Sequence, residues 1–391
     1  MLSGSNGTVS KRLKWAVLIS SLLAFVAYAF GLQVVPPLMT SIMTEFGISN
    51  AEAGLLMSFV LLPGIILSIP VSIAMERYGA RVTGGIALVC VVISSFMTVT
   101  ANSFTALLLA RLILGIGGSL ILIVTPTIVP QWFIKEELGR AMGIFSISMP
   151  LATIIAFPTA GTLAVTYGWR SSFYLSLVIG VIATVVYVLI VRDGPMSSRS
   201  GGFTGLSAFK NLEVWKVGII WLFFNGAILS FNTWAPTLLI DFKGFTPVEA
   251  SFYASLMSWI SLFAIPLYGT LSDRLGKRKV FIVAGAAILC LTEIAAAYSS
   301  GLILIMVIVA IGLVSAMMPG NIQTLPSEIL GPSKAGVGFA VLGICGNIGM
   351  AATQPIAGMI LDASGSYSLS ILSMAVFAAL CCGSALLVKA K

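Results

Sequence analysis

Gly269-Thr270-Leu271-Ser272-Asp273-Arg274-Leu275-Gly276-Lys277-Arg278-Lys279 is the stretch that decides the fold. It crowds five charges into positions 273–279, in a chain of which only 9% is charged. Long apolar runs flank it on both sides. A shorter version lies earlier, at Ser72-Ile73-Ala74-Met75-Glu76-Arg77-Tyr78-Gly79-Ala80-Arg81. From Glu76 to Asp273 the offset is 197 residues. That offset predicts two halves built alike, each with a charged loop in the same place.

Composition sets the class. The 391 residues have a mean hydropathy of +1.08. A soluble domain carries about 25% charged residues, so this chain cannot cover a wet surface. It reads as a polytopic membrane protein. The net charge of +8 does not point to nucleic acid, because the basic residues sit in short loops between apolar runs, where they carry orientation. Cys90, Cys290, Cys345, Cys381 and Cys382 all fall inside apolar runs and read as packing residues, not disulfides or metal ligands. With no histidine, a His-based proton relay or His metal site is excluded. A Walker-type phosphate loop is absent. No cofactor, metal or catalytic site is expected, and the chain is not expected to be an enzyme.

Twelve apolar segments are long enough for a hydrocarbon core of about 30 Å. They cover roughly 14–36, 51–75, 80–100, 104–132, 137–163, 168–192, 214–240, 247–272, 277–298, 301–326, 334–361 and 366–388. The first run lacks a cleavage-site pattern and reads as a retained helix. With a cytosolic N-terminus, all 21 Lys and Arg fall on the inside except Arg170, Lys243 and the intramembrane Arg111. This asymmetry predicts both termini in the cytosol. The polar interruption 193–213, with Ser-Ser-Arg-Ser-Gly-Gly at its core, reads as a cytosolic linker. It divides the chain into halves 1–192 and 214–391. Arg77 and Arg274, Gly79 and Gly276, Arg81 and Arg278, and Gly115 and Gly312 all keep the offset of 197, as do Pro158-Thr-Ala-Gly161 and Pro355-Ile-Ala-Gly358. Both loops fall on one side, so the repeat is parallel.

Twelve helices in two parallel halves, with Gly-x-x-x-Asp-Arg-x-Gly-Lys-Arg-Lys between the eighth and ninth, resemble the major facilitator superfamily of secondary transporters. The resemblance covers the whole chain. It implies alternating access, with the loops acting as charge latches at the cytosolic ends. The latch candidates are Glu76, Arg77, Arg81, Gly269, Asp273, Arg274 and Arg278. Gly269 reads as a point of close helix approach. The first loop departs from the pattern: Glu76 replaces Asp, Ser72 replaces Gly and Ala80 replaces a basic residue.

The resemblance also implies a central cavity lined by helices 1, 4, 7 and 10. Arg111, in Ala-Arg-Leu-Ile-Leu-Gly-Ile-Gly-Gly, resembles the family's helix 4 motif. Two roles stay open for it: an anchor for an anionic substrate, or a hydrogen-bonder to carbonyls of a neighbouring helix. Asn225 and Asn232, seven apart, share one face of helix 7. Asn321 and Gln323 on helix 10 and Tyr28 and Gln33 on helix 1 complete the expected substrate site. Asn347 lies among glycines that signal close packing. Glu293, toward the outer end of helix 9, reads as a proton-coupling acid or an interfacial carboxylate. Trp132-Phe133, Lys135 and Gly139-Arg140-Ala141-Met142-Gly143 resemble the helix 4–5 loop of anion carriers, the monocarboxylate, oxalate/formate, nitrate and cyanate porters. The paired glycine-asparagine signature of nitrate porters is missing from helix 5, and so is the drug-antiporter pattern.

The expected function is therefore secondary transport of a small organic anion, a carboxylate, with a proton as the candidate co-substrate. An exporter of neutral or amphiphilic compounds is the alternative, and a non-transporting receptor the third reading. The partners expected are a small-molecule substrate and the lipid bilayer of the cell (inner) membrane, with no nucleic acid and a monomeric chain.

Overall fold

The computed structural model describes residues 11–194, 209–330 and 335–388. Twelve helical spans are long and apolar enough to cross a membrane. They are α1 (Arg12–Phe46), α2 (Asn50–Leu67), α3 (Arg77–Val99), α4 (Phe104–Gln131), α5 (Glu137–Tyr167), α6 (Arg170–Ile190), α7 (Leu212–Phe242), α8 (Pro247–Leu275), α9 (Arg278–Tyr298), α10 (Gly301–Leu330), α11 (Val337–Ser364) and α12 (Tyr367–Leu386). Most of the expected linker, 195–208, lies outside the described residues.

The largest departure from the expected spans is in α1, which runs a full ten residues past 36. In the structure the helix pauses at Val34 and restarts at Val35, with proline in the first turn of the new segment. A proline lacks an N–H, but first-turn N–H groups have no intrahelical partner anyway.

Both charged loops turn at a glycine of positive φ. Helix runs on from α2 through Tyr78, breaks at Gly79 with φ +79°, and resumes at once as the rest of α3. α8 ends at Gly276 with φ +62°, and α9 begins at Arg278. Both glycines occupy the left-handed region that a Cβ disfavours. The internal repeat thus puts a positive-φ glycine in both loops, with ψ of 165° at Gly79 and 23° at Gly276.

It is also a repeat of contact. At Gly115 on α4, a Cβ would lie 2.2 Å from the Val60 carbonyl of α2; at Gly312 on α10, it would lie 2.5 Å from the Met257 carbonyl of α8. Val60 and Met257 are themselves 197 apart. Backbones touch at these places because only glycine leaves room, the packing that lipid-embedded helices rely on.

The halves meet chiefly along two seams, α2 with α11 and α5 with α8, and the second segment of α1 also touches α7. Gly358 of α11 sits against the Asn50 carbonyl that opens α2, and Gly161 of α5 against the Pro247 carbonyl that opens α8. Asn50 and Pro247 again differ by 197. Ser58 Oγ donates to the Ala351 carbonyl at 2.6 Å across the first seam. Asp362 adds a charged clasp there: its carboxylate accepts from the Asn50 N–H (3.0 Å), the Asn50 amide (2.7 Å) and the Ala51 N–H (2.8 Å). A carboxylate on a helix N-terminus meets unsatisfied N–H groups and the positive end of the dipole. These contacts lie far from the end that bears Lys14, Arg140, Arg192, Arg274 and Lys277, hereafter the basic end.

Toward the basic end the second seam opens. Gly143 and Gly161 are eighteen residues apart on α5, about five turns, so they share a face. Ser251 and Gly269 on α8 have the same spacing. A Cβ at Gly161 would lie 2.4 Å from Ser251 Oγ, yet Cβ atoms at Gly143 and Gly269 would meet nothing within 4 Å. The helices therefore splay, and the molecule is closed at the far end and open at the basic end. This corrects the expectation that Gly269 is a point of close helix approach in this conformation.

Candidate functional site

A cavity of about 470 Å³ lies between the halves. Of the expected substrate residues, Tyr28, Gln33, Asn225, Asn232 and Gln323 line it. Among the described residues, no Lys, Arg, Asp or Glu lines it. The polar lining is amide and hydroxyl, interleaved with aromatic rings such as Phe25, Trp221 and Phe224.

Each lining group is placed by local chemistry. Gln33 ends the first segment of α1, and its Nε2 donates to Thr153 Oγ1 of α5 at 2.7 Å. Tyr28 lies against α4, where a Cβ on Gly118 would run into its ring, so Gly118 makes room for it. Asn225 Nδ2 donates to the Trp221 carbonyl at 2.7 Å, one turn back. Asn232 is 4% exposed, and its Oδ1 meets no donor.

Arg111 and Asn321 depart from the expected site. Arg111 does not line the cavity and is only 2% exposed. Its Nη1 donates to the Gly31 carbonyl of α1 at 2.7 Å, and its guanidinium lies over the Phe173 ring of α6, 5.4 Å from the centroid. Its Nη2 has no partner, and among the described residues no carboxylate pairs with it. The geometry is that of the second role left open for it, a clamp on a neighbouring helix just behind the cavity wall at Leu32 and Gln33. Asn321 Nδ2 turns to the Met317 carbonyl at 2.8 Å, which bridges the break between the segments Gly301–Ser315 and Pro319–Leu330 of α10.

Glu293 is neither at the cavity nor at an interface. It is 0% exposed on α9, which packs along α12, and both of its oxygens lack partners. The reading of an interfacial carboxylate is overturned: α9 presents this position to the interior of the C-terminal half.

At the basic end, Arg278 holds three groups together. It pairs with Asp273 (2.9 Å), with Glu328 of α10 (3.1 Å), and with the Thr324 hydroxyl. Arg274 is exposed. The first loop uses other chemistry. Asp193, after α6, accepts from the Ala80 N–H at 2.9 Å, and Tyr187 Oη donates to the Ala80 carbonyl at 3.1 Å. Arg77 lies over the neighbouring Tyr78 ring at 5.4 Å, and Arg81 is exposed. The backbone of Glu76 lies in the last turn before the Gly79 break. Lys14 and Glu137 join α1 to α5 at 2.5 Å. Both basic-end clusters thus tie helices within one half.

Sequence reasoning missed Glu328, Asp193, Asp362 and the cavity amide Gln354. The last has one signal, its place beside Pro355 in the repeated Pro-x-x-Gly segment. The resemblance points to helices 1, 4, 7 and 10, and Gln354 lies on α11.

A sequence profile described as the Major Facilitator Superfamily matches residues 21–352 and 241–390. The chain belongs to the major facilitator superfamily. Relatives include a nitrite extrusion protein of Bacillus subtilis, 22% identical over 87% of this chain and 86% of its own. A probable nitrate transporter of Staphylococcus carnosus is 24% identical over 89% of each chain. A hexuronate transporter of Bacillus subtilis is 25% identical over 87% of this chain and 86% of its own. Among solved structures, a bacterial homologue of the human lysosomal transporter Spinster, inward-facing and occupied, superposes with a TM-score of 0.81 at 20% identity, covering 97% of each chain. A D-xylose–proton symporter gives 0.79 at 16%, covering 96% of this chain and 97% of its own. At these identities the structural likeness is one of fold. The protein is a secondary transporter of twelve membrane helices, a multi-pass membrane protein. Relatives named for nitrate align over most of the chain even though helix 5 lacks the nitrate-porter signature.

Gly269 faces the open part of the α5–α8 seam, which gives a test of motion separate from fold. Gly269→Leu is expected to leave the thermal midpoint of the purified protein within about 2 °C, because the new side chain meets open space. Transport by the same variant should fall at least tenfold, because the seam can no longer close. Transport at the parental rate would show that this face does not close during the cycle.

Proposed function

We propose that the chain carries a small organic anion, a carboxylate, across the cell membrane by rocking the halves 1–192 and 214–391 about the central cavity. The observation that carries this reading is Arg111. A guanidinium buried in the bilayer interior, with no paired carboxylate among the described residues, leaves a net positive field. The cavity beside it has no charge of its own to cancel that field, and its amides and hydroxyls offer donors. Nitrite, nitrate and hexuronate, the solutes that name three of the relatives, are all anions, which supports the charge and leaves the solute open.

The uncharged lining favours the second reading, a carrier of neutral or amphiphilic compounds. The two readings part at Arg111. In proteoliposomes, Arg111→Gln is expected to cut carboxylate uptake at least tenfold, with Arg111→Lys keeping a measurable part of it because the charge remains. Thermal midpoints of both variants separate loss of fold from loss of field. Parental carboxylate uptake by Arg111→Gln would overturn the anion reading.

A proton is the proposed co-substrate, and the chain is proposed to act as a monomer. Glu293 is the candidate proton site within the spans: it is a fully buried carboxyl with two unpartnered oxygens. Its place on α9 makes any coupling indirect, through the packing of α9 on α12. Glu293→Gln is expected to flatten the pH dependence of uptake. A profile matching the parent would remove Glu293 from the coupling.

A further inference from the structure

Two side-chain amides of the C-terminal half stand apart from the rest of the cavity. Asn232 on α7 and Gln354 on α11 both line it, at 4% and 2% exposure. Asn232 Oδ1 and Gln354 Oε1 both lie buried without a hydrogen-bond donor. The other amides of the lining, Gln33, Asn225, Gln323 and Asn347, have no such buried oxygen without a partner. Gln354 is fixed in orientation. Its Nε2 faces the Leu229 carbonyl at 3.5 Å, and a carbonyl only accepts, so the oxygen must turn away. Leu229 lies one turn before Asn232 on α7, which brings the Gln354 amide to the same stretch of the wall. Trp234 Nε1 donates to the Gln354 backbone carbonyl at 3.3 Å and fixes α11 against α7 there.

A buried acceptor with no donor is costly, and an unpaired one in a ligand cavity calls for an explanation. We propose that Asn232 and Gln354 form the hydroxyl-recognising part of the substrate site, so that the transported anion is a hydroxylated carboxylate, a hydroxy acid or sugar acid. The proposal rests on the carboxylate reading above and narrows it.

The chemistry excludes the near alternatives. Nitrate, nitrite and simple carboxylates bring acceptors but no donor, so both oxygens would stay unpaired in the loaded cavity. An amino acid brings an ammonium donor. That cation would enter a cavity with no carboxylate in its lining and an unneutralised Arg111 behind it. A hydroxyl is neutral and both donates and accepts, so it matches an amide whichever way round the amide turns. The carboxylate end would lie toward the α1–α4 side, near Tyr28, Gln33 and the field of Arg111, and the hydroxyl end toward α7 and α11.

The test is calorimetric titration of the purified full chain with matched pairs: lactate against propionate, malate against succinate, gluconate against hexanoate. The hydroxylated member of at least one pair is expected to bind ten times more tightly or better. A site built around a hydroxyl discriminates strongly against an analogue that lacks it. Asn232→Leu and Gln354→Leu should shrink that ratio toward one, because each weakens the hydroxylated acid more than its deoxy partner. Arg111→Gln should weaken both members of the pair together. Thermal midpoints of the three variants identify any that misfold, and Gln354→Met then serves as a second, volume-matched replacement. Equal binding within every pair overturns the hydroxyl subsite and leaves the carboxylate reading standing. A ratio that survives both leucine variants overturns the assignment to these two residues. Failure of all six acids to bind, with binding of an uncharged polyol such as mannitol, overturns the carboxylate reading itself.

Discussion

A guanidinium in a bilayer is the constraint that organises the N-terminal half. At the centre of a spanning helix, arginine costs roughly 3 kcal/mol on insertion scales, so it needs partners. Arg111 takes a carbonyl from α1 and an aromatic face from α6, and takes no carboxylate among the described residues. The clamp fixes α1, α4 and α6 together just beyond the cavity. The charge is held in place without being cancelled. An arginine neutralised by an acid would do the same structural work and leave no field for a substrate.

Around that clamp the two halves follow one plan. The contact of Gly115 with Val60 recurs as Gly312 with Met257, and that of Gly161 with Pro247 recurs as Gly358 with Asn50, all at the same offset. Close backbone contact between helices needs glycine, and in lipid such packing replaces the hydrophobic drive that holds soluble helices together. The symmetry breaks where charge enters. Asp362 clasps the start of α2, whereas the matching place on α5 is Val165. At the basic end Arg278 gathers Asp273, Glu328 and Thr324, whereas the first loop relies on Asp193 and the backbone of Ala80. A transporter whose two seams differ in chemistry can favour one side of its cycle. The state described, closed at the Asp362 clasp and splayed at Gly269, agrees with a stronger hold at the far end.

Much of this was legible in the residues. Spacing gave the twelve spans, and the offset of 197 gave the repeat, because glycine and proline positions are dictated by backbone contact and survive in the residue string. The polar site was legible only in part. Tyr28, Gln33, Asn225, Asn232 and Gln323 reach the cavity as the helix assignments implied. Arg111 and Asn321 do not, since which way a long side chain or an amide turns depends on carbonyls of other turns and other helices. Gln354 and Asp362 could not be found from local pattern. Their partners lie more than 100 residues away, across a seam or on a facing helix.

The central claim is that the field of Arg111 makes a cavity without charged lining selective for anions. Its most direct measurement is the affinity of the purified protein for a carboxylate and for its isosteric amide, titrated side by side. The pair is nearly equal in shape, so the difference isolates charge. The account predicts that the carboxylate binds at least tenfold more tightly, a difference of about 1.4 kcal/mol or more. Equal affinities, or tighter binding of the amide, would contradict it.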